Sequence, residues 1–182
     1  MKRQLIAALL LSTLGAGVMA AAPAGWFLSG ERSRSYEIGE DNSSGKPVRY
    51  IRYVEGNSAS FGTLMQQISA RNYQGKRVRF QAMVKTQDVS NWAGLWMRID
   101  STGKPSAAFY NSQDKPIVGS SDWQLRSVTL DVPDDASVVS FGVINAGKGQ
   151  VWIDQLSLEA VGPEVEVDQQ PGRGKLPSEP SL

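Results

Sequence analysis

The sequence predicts an all-β chain folded as an antiparallel sandwich. Three observations carry that expectation. Arg77–Lys85 alternates without a break, with Val78, Phe80, Ala82 and Val84 on one side and Arg77, Arg79, Gln81, Met83 and Lys85 on the other. Asn91–Asp100 (NWAGLWMRID) does the same, with Ala93, Leu95, Met97 and Ile99 against Trp92, Gly94, Trp96, Arg98 and Asp100. Strand side chains repeat every two residues, so each stretch has one core face and one outer face. Finally, roughly nine to ten such stretches follow one another, separated by turn residues and with no helical period beyond the N-terminus, which is the spacing of a sandwich or barrel. Two packed antiparallel sheets give every strand its one core face.

The chain has 182 residues, enough for one domain with a substantial core. Its net charge of +1 gives no electrostatic reason to expect nucleic acid or an acidic lipid surface as partner. Histidine and cysteine are both absent. Their absence removes the commonest general base and metal ligand, the Ser-His-Asp triad, thiol chemistry and disulfides.

Residues 1–22 read as an export signal. Lys2 and Arg3 precede an apolar run, and Ala20, Ala21 and Ala22 offer a small-residue cleavage site after Ala20 or Ala22. Ser12, Thr13, Gly15 and Gly17 interrupt the run, which argues against a lasting membrane anchor. The expected product is exported to the periplasm or beyond the cell, with no membrane insertion after cleavage. Residues 23–161 form the expected sandwich domain.

Within it, Gly25–Gly30 and Tyr36–Ile38 are short strands, and Asp41–Pro47 (DNSSGKP) is a turn-forming loop. Val48–Val54 is a strand rich in aromatic and β-branched residues. Phe61–Ile68 fits helical and strand spacing alike, and its strand neighbours favour a strand. Ala70–Lys76 is a loop, and Thr86–Ser90 a short loop between the two alternating stretches. Ala107–Asn111, Gln124–Val132 and Val138–Ile144 are further strands, with Ser112–Asp122 a long polar connection. In the last strand, Val151–Leu158, the apolar parity changes between Ile153 and Leu156, which predicts a bulge near Asp154 or burial of both faces. Residues 162–182 are rich in Pro, Gly and Glu and are expected to form a disordered tail.

The candidate binding face is the outer side of NWAGLWMRID: Trp92, Trp96, Arg98 and Asp100. Indole rings stack on the apolar C–H faces of sugars, while arginine and carboxylate satisfy hydroxyls. Two other readings stand beside this one. Both tryptophans could form a second small core under a covering loop, since tryptophan is usually well buried, or the face could meet a protein partner. Phe109 or Tyr110, together with Asn111, extends this face if the neighbouring strand pairs there. Arg77, Arg79 and Lys85 read as a solvated strand face. Gln66, Gln67 and Asn145 are amides able to meet hydroxyls. Nothing places two carboxylates across a cleft as glycoside hydrolysis requires, so the chain is expected to be non-catalytic.

The order of Gly25-Trp26-Phe27, Tyr36-Glu37-Ile38-Gly39, Ser44-Gly45-Lys46, Val151-Trp152-Ile153-Asp154 and Leu156-Ser157-Leu158-Glu159 resembles the jelly-roll, galactose-binding-like carbohydrate-binding modules. Phe61–Gln67, Tyr73–Arg79, Trp92–Arg98 and Pro116–Gly119 resemble a bacterial subgroup found alone or fused behind the DNA-binding region of transcriptional regulators. The resemblance implies a jelly-roll sandwich over residues 25–161 that takes a carbohydrate or other small polar ligand, and the chemistry of the outer face places that ligand at Trp92, Trp96, Arg98, Asp100, Tyr110 and Asn111. It also implies a structural calcium at Glu37 and Asp154. Gln155 stands where the family often has a second Asp, which leaves few carboxylates for an ion that takes six to eight oxygens. The chain carries no helix-turn-helix pattern and no basic stripe.

Overall fold

A computed structural model describes residues Ala22–Gln170. Nine strands and two single 3₁₀ turns are found among them. The strands are β1 (Phe27–Ser29), β2 (Tyr36–Asp41), β3 (Val48–Tyr53), β4 (Phe61–Ser69), β5 (Arg77–Ser101), β6 (Lys104–Tyr110), β7 (Ile117–Asp131), β8 (Ala136–Ala146) and β9 (Gln150–Val161). All pairings are antiparallel, in the order β1-β4-β8-β5-β9-β3-β2, with β6 and β7 also paired to β5. The all-β antiparallel sandwich is the fold of this chain.

The organising element is β5, which is 25 residues long. Its first half pairs with β9 and β7. Its second half pairs with β8 and β6. One strand therefore serves both layers. The expected loop at Thr86–Ser90 is instead a corner inside a continuous strand. The ladder with β7 slips between Val84 and Ala93, and Asp88 sits at φ 53°. The physical reason lies in the side-chain parity. Val78, Phe80, Ala82 and Val84 face the core before the corner, and Ala93, Leu95, Met97 and Ile99 after it. Even positions give way to odd ones, and a bulge is what lets a strand change layers while keeping its apolar side inward.

The core lies between the layers. Val78, Phe80, Val84, Leu95, Met97, Ile99, Val143, Val151 and Ile153 are all fully buried. Each such side chain contributes about 1.5–3 kcal/mol when taken out of water. Phe80 and Phe141 meet at 4.8 Å between ring centroids, and Trp26 stands edge-on to Phe141 at 6.1 Å.

Other expectations meet the structure element by element. Phe61–Ser69 is a strand. The parity change in β9 is a bulge opposite Gln81 and Met83, with Gln155 at φ 50°. The long connection after Asn111 is shorter than expected, because β7 begins at Ile117. The expected signal lies outside the described residues, apart from Ala22.

The expected disordered tail requires a correction at its start. Gly162–Gln170 packs back on the sandwich. The Asp168 amide donates to the Thr129 carbonyl at 2.9 Å, and the Thr129 amide donates to Asp168 Oδ2 at 2.9 Å. Arg77 donates to the carbonyls of Pro163 and Val165, and Val167 packs against the core. Polar composition concealed the physical reason: β7 pairs only with β5, and this strap satisfies part of its other edge. Residues 171–182 lie outside the described residues.

Candidate functional site

The second half of β5 sits in register with β8, and β8 with β4. Trp96 lies opposite Gly142, Gly142 opposite Met65, and Met65 opposite Phe27 of β1. Trp92 lies opposite Ala146, which faces Phe61, and Arg98 lies opposite Ser140, which faces Gln67. On the other flank Arg98 is paired with Phe109 of β6. Paired residues share a face. The outer side of this layer therefore carries an aromatic set drawn from four strands, none adjacent to all the others in sequence.

These side chains form a cleft of about 590 Å³. Met65, Trp96, Ile144 and Ala146 are buried in its floor, with Phe61, Trp92 and Phe109 half-buried around them. Phe27, 40% exposed, stands on the β1 side. Glu31, Gln67, Asn91, Arg98, Asn111 and Gln113 supply polar groups to the lining.

Trp96 is 7% exposed and held in place by a chain of hydrogen bonds. Its indole N–H donates to Thr63 Oγ1 at 2.7 Å, and that hydroxyl donates to the Val143 carbonyl at 3.0 Å. The ring therefore reaches from β5 across β8 to β4. Gly94 separates the two tryptophans on the same face, and a Cβ there would stand 3.0 Å from the Ser112 Cβ. Arg98 donates through Nε and Nη2 to Asp100 Oδ2, at 3.1 and 2.9 Å. The Ser106 amide donates to the other carboxylate oxygen at 2.6 Å. Asp100 thus orients the guanidinium, whose Nη1 makes no bond to a described residue.

The expected site residues divide. Trp92, Trp96, Arg98 and Asn111 line the cleft. Asp100 shares their face but stands behind Arg98 as its support. Tyr110 is a correction. It pairs with Met97, on the inner side of the strand, and is 1% exposed. Burial and the neighbouring Asp114, which accepts its hydroxyl at 2.7 Å, hold that phenol well above its usual range. Phe109 is the residue of this pair that faces the cleft, and the β5–β6 register, which the sequence does not state, decides between them. Sequence reasoning missed Phe27, Glu31 and Phe61 as lining residues, because their place depends on β4 pairing with β8. Of the amides, Gln67 lines the cleft, whereas Asn145 is fully buried and donates to the Gly149 carbonyl.

The calcium expectation is also corrected. Glu37 shares a row with Arg52 and Gln150, and Asp154 lies four residues further along β9. At about 3.3 Å per residue this separation is about 13 Å. Glu37 is bound to Arg52 and Asp154 to Lys46. No cluster of three or more metal-binding side chains occurs among the described residues.

No protein-family model matches the sequence. A relative from Bacillus subtilis, named an uncharacterized HTH-type transcriptional regulator, YbfP, is 38% identical over 160 residues, which is 86% of this chain and 54% of that protein. The chain thus spans about half the length of that relative. Among solved structures, the CBM22-1–GH10 modules of Clostridium thermocellum xylanase 10B, complexed with xylohexaose, superpose with a TM-score of 0.56 at 11% identity, over 80% of this chain and 28% of that one. The CBM22-1 xylan-binding domain of Paenibacillus barcinonensis Xyn10C gives 0.53 at 12% identity, over 79% and 90%.

The fold is that of the carbohydrate-binding modules. At these identities the likeness concerns the jelly-roll-like fold alone. None of the described helical turns is long and apolar enough to cross a membrane.

Proposed function

We propose that this chain is a non-catalytic binding module that holds a carbohydrate, or another small polar ligand, in the cleft floored by Trp96. The observation that carries this reading is the combination within one cleft of two tryptophans, three phenylalanines and a pre-oriented arginine. Aromatic faces take the C–H side of a sugar ring, and the arginine, amides and Glu31 take its hydroxyls. The shared fold with carbohydrate-binding modules supports it. A non-catalytic role is supported by the lining itself, in which Glu31 is the single carboxylate among the described residues, whereas glycoside hydrolysis uses a pair. Export to the periplasm or beyond, supported by the N-terminal pattern, would place the module among envelope or external glycans.

The relative named as a regulator motivates a second reading, in which such a sandwich serves as the ligand-sensing half of a larger protein. Both readings require ligand in the same cleft. The test is titration of the full chain with a panel of neutral oligosaccharides, xylo- and galacto-oligomers included, followed by tryptophan fluorescence and calorimetry. Binding that disappears in Trp92→Ala is expected. A flat response across the panel would overturn the carbohydrate reading.

A further inference from the structure

The opposite layer carries a second aromatic cleft, of about 320 Å³, built on the outer face of β9, the first half of β5, and β7. Lys85 is paired with Trp152. Trp123 of β7 lies near Lys85 on the other flank: Val84 pairs with Gln124 just before the ladder slips to Thr86 and Ser121, and both residues line the same cleft. Trp152, Lys85 and Trp123 thus come from three neighbouring strands and line one cleft. At about 4.8 Å per strand, the strands of the two tryptophans stand about 10 Å apart. Trp123 is 38% exposed and Leu125 61%, so this face is open to solvent.

The polar groups around the cleft are unequal in what they can still offer. Asp41 accepts from the Trp152 indole N–H at 3.1 Å and from the Ser43 amide at 2.9 Å. Asp154 accepts from Lys46 at 2.6 Å. The backbone and hydroxyl of Ser43 and the indole hold the Asp41 carboxyl below its usual range, and Lys46 does the same for Asp154. Both carboxylates are thus engaged by this chain's own donors. Lys85 is different. Its Nζ lies 5.7 Å from the Trp152 ring centroid and has no ion-pair partner among the described residues. Its charge also helps to lower the Asp41 carboxyl, yet Lys85 Nζ makes no hydrogen bond or ion pair of its own among the described residues, and a cation so placed beside the indoles suits a ligand with apolar ring faces and an anionic substituent.

We infer that this cleft is a second binding site, on the side of the sandwich away from the Trp96 cleft, and that it takes a saccharide bearing a carboxylate, of the uronic-acid type. The rings lie over Trp123 and Trp152, and the carboxylate meets Lys85. The site shares no residue with the first cleft, so the chain can hold two glycan segments at once, and linked sites gain avidity without new contacts.

The experiment is calorimetry of the full chain with trigalacturonate and with galactotriose. Trigalacturonate binding should weaken about tenfold or more in Lys85→Met and in Trp123→Ala. It should also weaken with added salt and stay unchanged in Trp92→Ala. Lys85→Gln serves as a second variant, and thermal unfolding confirms that each variant is folded. Absence of trigalacturonate binding to the parent chain overturns the inference. So does equal binding of galactotriose that survives Lys85→Met, or loss of the signal in Trp92→Ala. A chain that sediments as a dimer, and reverts to a monomer in Trp123→Ala, makes the face a protein contact and likewise overturns it. Neutral-glycan binding lost only in Trp92→Ala reports on the first cleft alone, so the two sites fail independently.

Discussion

The Trp96 indole N–H and the Thr63 hydroxyl meet at 2.7 Å across the full width of β8. Neither residue is near the other in sequence, and β8 runs between their strands. The floor of the cleft is therefore a side chain laid along a sheet and bolted to the strand beyond. A buried donor of this kind is costly to leave unpaired. Thr63→Val keeps the shape and removes the acceptor. Urea unfolding should show a loss of about 1–3 kcal/mol, together with weaker binding of any glycan that uses the cleft. Unchanged stability would mean that the hydrogen bond is dispensable.

Asp100 fixes Arg98 without entering the cleft lining. Asp100→Asn should leave the fold intact and weaken ligand binding by releasing the guanidinium. The expected loss is about three- to tenfold, the scale of one hydrogen bond of about 1 kcal/mol. Calorimetry on this variant beside Arg98→Leu tests the relation. An Asp100→Asn protein that binds like its parent would show that Arg98 needs no support.

The pH dependence should be asymmetric. Tyr36, Tyr50 and Tyr110 all have phenols raised above the ordinary value of 10.0, in each case chiefly by burial. A raised folded value means that the unfolded chain loses these protons first. Their contribution is thus complete below about pH 10 and fades as pH rises through the folded values. Asp41 and Asp154 are lowered below 3.8, mainly by the Ser43 backbone amide and by Lys46 respectively. Their contribution is present above about pH 4 and is lost as pH falls through the folded values. Melting temperature followed with tyrosinate absorbance should fall above pH 10 in step with phenol ionisation. Ionisation that precedes unfolding would contradict this account.

Calcium should not stabilise the chain. Glu37 and Asp154 face different cations four residues apart along the sheet. A ligand bound only by the folded state would raise the melting temperature with its concentration. Millimolar calcium is expected to leave it where EDTA leaves it, and a calcium-dependent rise would reopen the Glu37–Asp154 site.

Truncation after Val161 should destabilise the sandwich. It strips Thr129 of its partner strap, removes two carbonyls from Arg77 and uncovers the core beneath Val167. Roughly 1–3 kcal/mol is expected from one lost apolar contact and these hydrogen bonds. Hydrogen exchange at the Thr129 amide localises the effect, and a truncated chain with full protection there would make the strap a passive overlay.

Much of this was legible in the chain. The alternations at Val78–Val84 and Ala93–Ile99 are strong because every second side chain had to be apolar for one face to leave water. The change of parity in β9 announced its bulge for the same reason. The parity change within β5 is equally present, but periodicity marks a break without saying whether the chain turns or bulges, so two strands and a loop fit it as well as one bulged strand. The Trp92/Trp96/Arg98 face was visible as one side of one strand.

By itself, then, the sequence determined which side chains face inward, because burial selects them locally. The tertiary structure decided everything that depends on which strand lies beside which. It put Phe109 rather than Tyr110 beside Arg98, added Phe27, Glu31 and Phe61 to the cleft, separated Glu37 from Asp154, and set Trp123 near Lys85. Register is fixed by contacts between residues tens of positions apart, and no local pattern in the chain records them.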